Sequence, residues 1–175
     1  MVAPVLVPIV NSARLADDKS RPTSKESVAA ILKRCKTSLI ADWLTRRKST
    51  AELNHLQMSD EQRSGHLPRL VDDIVERLSV ERLGKTTLTS KDSDALDSPA
   101  AVAHGKLRRT QRYTPAMLIH ESRILQVTIF GTLHKNLSLL DFSLLLPDVM
   151  VIADEVDAQL TQTMESFTNA TVAAA

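Results

Sequence analysis

Apolar residues recur at intervals of three and four along most of this chain, and this spacing constrains its fold more than any other feature. In the first long segment the stripe runs through Val28, Leu32, Cys35, Leu39 and Trp43. These intervals match one face of an α-helix, and further segments repeat the pattern. The sequence therefore predicts a compact all-α bundle of about five helices, with a globin-like arrangement left open. Trp43 completes the first stripe and is expected to anchor the core.

Composition agrees with a helical fold and argues against several functional classes. The chain has four glycines and 3% aromatic residues, whereas a many-stranded β fold needs tight turns and bulky cross-strand pairs. So few glycines also leave no Gly-rich phosphate loop before any helix. A single cysteine, Cys35, excludes an internal disulfide and the usual paired zinc ligands, and it suits a reducing compartment. We therefore expect no catalytic constellation, no cofactor and no metal.

Sequence patterning divides the chain into three parts. Residues 1–22 are expected to form a mobile tail, residues 23–169 a helical regulatory domain, and residues 170–175 a C-terminal linker. The polar stretch 85–97 is the main predicted internal loop. The apolar start, residues 1–10, is too short to span a membrane and lacks the basic leader of a secretory signal. We therefore expect a cytoplasmic protein without a membrane span.

Capping residues mark where the predicted helices begin. Thr23 or Ser24 is expected to cap the first helix, whose basic end, residues 46–48, lies against the negative end of the helix dipole. Gly84 is expected to end the helix that precedes the polar loop. The other predicted starts are a capping box of Ser59 with Gln62, Pro68 at a first helical position, and the pairs Ser98–Pro99 and Thr114–Pro115.

The segment opened by Thr114–Pro115 extends to about Asn136 and is apolar over much of its circumference. Leu118, Leu125, Ile129 and Leu133 form one line along it, and further apolar residues lie beside that line. A helix that is apolar nearly all round is normally buried by neighbours. The sequence therefore predicts that this helix is the central one of the bundle.

Four basic residues lie between Ser98 and Thr114 with no acid among them. They are expected to form a solvated helix face or to pair with Glu121 and the acidic last helix, and a ligand or partner site is the alternative. Nucleic acid is not an expected partner, because interleaved aromatics and net basicity are absent at a net charge of +1. The basic residues are Lys106, Arg108, Arg109 and Arg112, and the acids of the last helix are Asp148, Asp154, Glu155 and Asp157.

Glu121 follows a mostly apolar run, where an unpaired carboxylate would be costly to bury. We therefore predict a polar network in which Glu121 and Arg123 meet Arg108 or Arg109. This network would join the two helices that begin with a proline.

Histidines offer two alternative functions. His104 lies on a predicted helix and could accept a phosphoryl group, although the residues that follow it do not match phosphotransfer helices. His120 and His134 share one helical line and suggest a haem or metal ligand, but they lie about 21 Å apart by helix rise and cannot share one metal. The stronger interpretation of these two is polar residues at the rim of a buried helix.

A polar motif spans residues 100–125. It comprises a His-Gly pair, an Arg a few residues on, a Gln-x-aromatic turn, and a helix with the pattern Glu-x-Arg-x-Leu. The residues that carry it are His104, Gly105, Arg108 or Arg109, Gln111, Tyr113, Glu121, Arg123 and Leu125. On these residues the chain resembles the N-terminal domain family of the RsbT co-antagonists, which are stressosome proteins. The same domain is found at the N-terminus of bacterial sensor histidine kinases.

Similarity to this family extends loosely from Ser27 to Phe167, with Trp43 and Leu67–Pro68 as further matches. Arg112 stands where the family's turn usually has Gly, and Gln126 replaces a frequent second Arg. The resemblance implies an all-helical, non-catalytic sensor or regulatory input domain that is dimeric and passes a signal to a downstream domain or partner protein. An independent protein-interaction adaptor is the alternative, followed by a haem- or small-molecule-binding globin-like sensor.

The last predicted helix carries an apolar stripe with the alternating 4-3 spacing of a coiled coil. We predict that this stripe, together with another helix, forms the interface of a homodimer. Packing within the chain's own bundle is the alternative. The predicted seam consists of Val149, Ala153, Val156, Leu160, Thr163 and Phe167.

Overall fold

A computed structural model describes residues 25–54, 56–82 and 98–169, and within them the chain forms seven α-helices. Five are long and two are short, which confirms the predicted compact all-α bundle. The predictions on residues 1–22, Thr23, Ser24, Gly84, the loop 85–97 and the linker 170–175 lie outside the described residues. The helices are α1 (Val28–Lys48), α2 (Ala51–Asn54), α3 (Asp60–Ser64), α4 (Leu67–Arg82), α5 (Pro99–Thr110), α6 (Pro115–Lys135) and α7 (Leu145–Asn169).

Side-chain caps fix most of the helix starts. The hydroxyls of Ser98 and Thr114 accept hydrogen bonds from backbone N–H groups in the first turns of α5 and α6, and the capping box of Ser59 with Gln62 opens α3, all as predicted. The cap of α1 is Ser27, which accepts from the backbone N–H of Ala30 at 3.0 Å. The first helix therefore begins at Val28, later than predicted. Pro68 is the second residue of α4 and not its first.

The main core lies between α1, α4, α6 and α7. Trp43 is fully buried in it, which confirms this residue as the anchor of the first helix. The prediction that α6 is the central helix, buried by its neighbours, is wrong for its outer face. This helix packs mainly against α1 and α7, and Ile119 and Val127 on its outer face are 51% and 44% exposed.

Helix α7 packs against α4, α5 and α6, and its closest approach is to α5. At Gly105 the two backbones are so close that a Cβ atom would lie 2.2 Å from the carbonyl oxygen of Thr163. Val156 and Thr163 of the predicted seam are buried inside the bundle. Those residues are therefore unavailable for a dimer, and the seam as predicted is wrong, because its stripe faces the chain's own core.

The acids of α7 pair with α4 and not with the basic residues of α5. Arg77 donates to Asp154 at 2.8 Å, and Arg82 donates to Asp148 at 3.1 Å. The predicted pairing of the α5 cluster with the last helix is therefore wrong for these acids. Among the described residues, no helix is long and apolar enough to cross a membrane.

Helix α5 ends in a Schellman motif. The backbone N–H of Arg112 donates to Arg109 O and that of Tyr113 donates to Arg108 O, both at 3.1 Å, which is the hydrogen-bond pair that defines this turn. Arg112 occupies the position after the C-cap with φ 60°, in the left-handed region that favours glycine. The turn reverses the chain directly before Tyr113 and so delivers this ring to the site described below.

Replacing Arg112 with Gly is expected to stabilise the protein by about 0.5–1 kcal/mol. A side chain costs energy in the left-handed region, and this gain exceeds the greater freedom of glycine in the unfolded chain. Urea denaturation measures the change, with Lys33→Gly, at an exposed position in the interior of α1, as the matched control. That variant should lose about 1 kcal/mol, and a loss at both positions would contradict the assigned strain.

Candidate functional site

A buried carboxylate, Glu121 of α6, lies at the centre of the candidate site and is 2% exposed. Its Oε1 accepts hydrogen bonds from Arg47 Nε at 3.1 Å and from the hydroxyl of Tyr113 at 2.6 Å. Its Oε2 accepts from Arg108 Nε at 2.9 Å. Three donors from three parts of the chain thus converge on one acid, and we name these four residues the Glu121 network.

Arg108 is fully buried, and its remaining donors bind the segment around α3. Nη1 donates to the backbone oxygen of Gln62 at 2.9 Å and to Gln111 Oε1 at 2.7 Å, and Nη2 donates to the backbone oxygen of Arg63 at 2.6 Å. Charge-assisted hydrogen bonds of this kind are stronger than neutral ones. Arg108 therefore fixes the chain before α4 against α5 and α6.

Arg47 and Tyr113 complete the network. Nη2 of Arg47 donates to the Tyr113 hydroxyl at 2.7 Å, so this hydroxyl accepts from one charged group while it donates to another. Burial, followed by the neighbouring charge of Glu121, raises the pKa of Tyr113 to about 12. The hydroxyl therefore keeps its proton across the physiological range. The indole N–H of Trp43 donates to the backbone oxygen of Glu121 at 3.4 Å and holds the turn of α6 in place.

Two histidines stack beside the network. The rings of His66 and His104 are nearly parallel with their centroids 3.8 Å apart, and His104 Nε2 lies 3.6 Å from Glu121 Oε2. Burial, and then the charge of Arg108, lowers the pKa of His104 to about 3. Burial is also the largest cause that lowers the pKa of His66 well below its usual range. Both rings are therefore neutral at physiological pH.

His66, His104 and Glu121 place three potential metal-ligand atoms within 4.8 Å of one another. The charges around them oppose a cation. Arg47, Arg108 and Tyr113 all donate to the Glu121 carboxylate and use three of its about four lone-pair sites. The two guanidinium groups against one carboxylate leave an excess of positive charge. A divalent ion would have to displace these arginines at a large desolvation cost. The residues therefore fit an ionic network better than a metal centre.

The structure brings together most of the residues that the sequence singled out. The predicted contact between Glu121 and Arg108 is confirmed, and Tyr113, Gln111 and His104 lie in or beside the same network. Arg123 does not belong to it. This residue is exposed on the opposite face of α6, so that part of the prediction is wrong.

Arg109 also lies outside the network. Its Nη1 donates to the backbone oxygen of Phe167 at 3.0 Å and so contacts the last turns of α7.

Two members of the site were missed by sequence reasoning, Arg47 and His66. Arg47 was predicted to lie against the end of the α1 dipole, whereas it turns inward to Glu121. The sequence does contain a signal that Arg47 is buried, because this residue lies four positions after Trp43 on the buried stripe of α1. No comparable pattern marks His66, which lies in the link between α3 and α4.

His104 is 6% exposed, and this burial opposes the alternative that it accepts a phosphoryl group. A kinase or receiver domain would have to reach a ring nitrogen that lies beneath α6 and α7. His120 and His134 contribute nothing to the network. No family model, curated protein or solved structure matches this chain, so the resemblance described above stays a prediction.

Proposed function

We propose that this chain is a non-catalytic regulatory or sensor input domain of a bacterial signal-transduction protein of the sensor histidine kinase or stressosome type. It acts in the cytoplasm, dimerises, and relays a signal through α7 to a downstream domain or partner protein. The resemblance on residues 100–125 suggests this class. The buried network gives a physical reason why such a relay could work.

Helix α5 carries the observation that supports the proposal most directly. Its Arg108 is bound to Glu121, while one turn earlier Gly105 lies against the backbone of Thr163 on α7. Arg109 then donates to the backbone oxygen of Phe167, near the end of α7. One short helix thus contacts both the ionic network and the last turns of α7. A rearrangement of the network that shifts α5 must therefore shift or release the end of α7.

A buried ionic network favours switching between two distinct arrangements. Polar interactions in a low-dielectric interior are strong when satisfied and costly when broken, so intermediate arrangements are disfavoured. The network has an excess positive charge and a tyrosine hydroxyl between two charged groups, and two neutral histidines stack beside it. A change in protonation or a bound ligand could therefore favour a second arrangement.

A chimera tests this function. The chain is fused ahead of a histidine kinase core in several linker registers, and autophosphorylation is measured for wild type, for Tyr113→Phe and for the exposed control Glu76→Gln. Tyr113→Phe removes the hydroxyl that joins Arg47 to Glu121 and keeps the ring. We expect Tyr113→Phe to change kinase output at least twofold in one register, with the control at the wild-type level. Equal output from all three in every register would contradict the proposal.

The homodimer needs a surface other than the predicted seam. Phe142, Leu146 and Met150 are 60%, 70% and 66% exposed. Leu146 and Met150 lie four residues apart at the start of α7, which places their side chains on one face, and Phe142 lies in the turn directly before the helix. We therefore move the proposed interface to this outer face of α7.

Met150→Glu is expected to convert the dimer to a monomer. A carboxylate at the centre of an apolar interface loses its hydration without gaining a partner. Light scattering at micromolar concentration measures the mass, and Thr161→Glu, on an exposed position of the same helix, is the control. A wild-type monomer would contradict the dimer, and a Met150→Glu dimer would contradict this interface.

The alternative is an independent protein-interaction adaptor, and the same exposed face favours it. A partner helix could cover Phe142, Leu146 and Met150 in place of a second copy. In that case wild type is monomeric, and Met150→Glu leaves its mass unchanged but abolishes binding of the partner.

A further inference from the structure

A cavity of about 30 Å³ lies beside the Glu121 network, between α4, α5, α6 and α7. Leucine and valine side chains form much of its wall. His104, Glu121, Ser122 and Gln159 contribute polar groups to the lining. The volume is two to three times the roughly 10–15 Å³ that one water molecule needs, so the cavity admits a ligand of a few non-hydrogen atoms.

Two side chains that line this cavity have buried polar atoms without a partner among the described residues, His104 Nδ1 and Gln159 Oε1. His104 is neutral, and its Nε2 faces the negative Glu121 carboxylate at 3.6 Å. The ring proton is therefore favoured on Nε2, which leaves Nδ1 as an acceptor.

The amide of Gln159 also contributes an acceptor. Its Nε2 donates to the backbone oxygen of Leu70 at 3.1 Å and to Glu155 Oε1 at 3.0 Å, so both amide protons are used. The remaining atom, Oε1, can only accept. His104 and Gln159 therefore contribute two acceptors and no free donor to the cavity lining.

Charge then selects the class of ligand. Two acceptor lone pairs repel an anion, and the positive excess of Arg47 and Arg108 beside Glu121 opposes a cation. Leaving two buried acceptors unsatisfied would destabilise the fold. What satisfies both is a neutral molecule with two hydrogen-bond donors.

We propose that this cavity is a binding site for one small, uncharged hydrogen-bond donor, which bridges His104 Nδ1 and Gln159 Oε1. The occupant is either solvent water or a small solute with the same chemistry, such as a small primary amide, whose NH2 group carries two donors. His66, Ser122 and Leu160 are the partly exposed members of the lining and mark where the lining meets solvent. If the chain is the sensor proposed above, the occupant lies against the network through Glu121 and His104.

A high-resolution crystal structure of the full chain tests the site, without additives, after soaking in formamide, and under xenon pressure. We expect one density peak within 2.7–3.2 Å of both acceptors. An unchanged peak in formamide assigns the site to water, and an elongated peak assigns it to small solutes as well. A cavity without a peak, or one that takes up xenon, would overturn the proposal, because dry apolar cavities bind xenon.

A solution measurement supports the crystallographic one. Magnetic relaxation dispersion counts long-lived internal waters, and Gln159→Leu should lose one relative to wild type. Gln126→Leu, a partly buried glutamine outside the cavity lining, should lose none. Equal counts in all three proteins would contradict the site. These measurements record binding whereas the chimera records signalling, so either proposal can fail without the other.

Discussion

Replacing Glu121 with Gln is expected to lower the free energy of unfolding by about 3–5 kcal/mol. Among the described residues, this carboxylate is the only acid bound to Arg47 and Arg108, both of which are fully buried. Without its charge the two guanidinium groups repel each other where water cannot screen them. Removing one partner from a buried ion pair costs far more than the pair itself contributes, since the remaining charge is left uncompensated.

Urea denaturation measures this loss as a shift of the midpoint at constant slope. Glu165→Gln is the matched control, because this glutamate is exposed on α7, and its change should stay within about 0.5 kcal/mol. A midpoint for Glu121→Gln as close to wild type as that of the control would show that the network does not hold these helices together.

Acid is expected to destabilise the protein well above the pH at which carboxylates titrate. The pKa of His104 is lowered to about 3 by burial and by the charge of Arg108, whereas a histidine in an unfolded chain titrates near 6.5. Between these values the unfolded chain binds a proton that the folded chain does not, so stability falls as the pH falls. The slope is about 1.4 kcal/mol per pH unit for each such histidine.

His66 contributes in the same direction, since its pKa is also lowered. Chemical denaturation between pH 6.5 and pH 5 measures the slope. His104→Gln should reduce it, while His134→Gln on the exposed end of α6 should leave it unchanged. A flat profile for wild type over this range would contradict neutral buried histidines.

The fold could be predicted where local signals determine it. Ser98–Pro99 and Thr114–Pro115 start helices because a hydroxyl cap and a preset φ act within one turn, whatever the rest of the chain does. The start of α1 was predicted too early because Thr23, Ser24 and Ser27 are all possible caps within five residues. Packing of the helix against its neighbours, and not the local sequence, selects Ser27. Burial of α6 was overestimated because apolar periodicity alone does not tell which faces meet a neighbour.

The candidate site could be predicted only in part. Glu121 stood out because an acid in an apolar run needs a cation, and Arg108 was near in sequence. Arg47 lies 74 residues from Glu121, and no local pattern links the two. Its place on the buried stripe after Trp43 was the available clue. At Arg112, by contrast, the sequence alone singled out the position, because the family that the chain resembles usually has Gly at this turn. The left-handed backbone of Arg112 explains why Gly is favoured there.

Amide hydrogen exchange on wild type and Tyr113→Phe tests the central claim most directly, that α5 couples the Glu121 network to the end of α7. We predict faster exchange in Tyr113→Phe both in α5 and in residues 160–169 of α7, with residues 70–78 of α4 unchanged. The exposed control Glu76→Gln should match wild type throughout. Faster exchange confined to the turn around Tyr113, with α7 as protected as in wild type, would contradict the coupling.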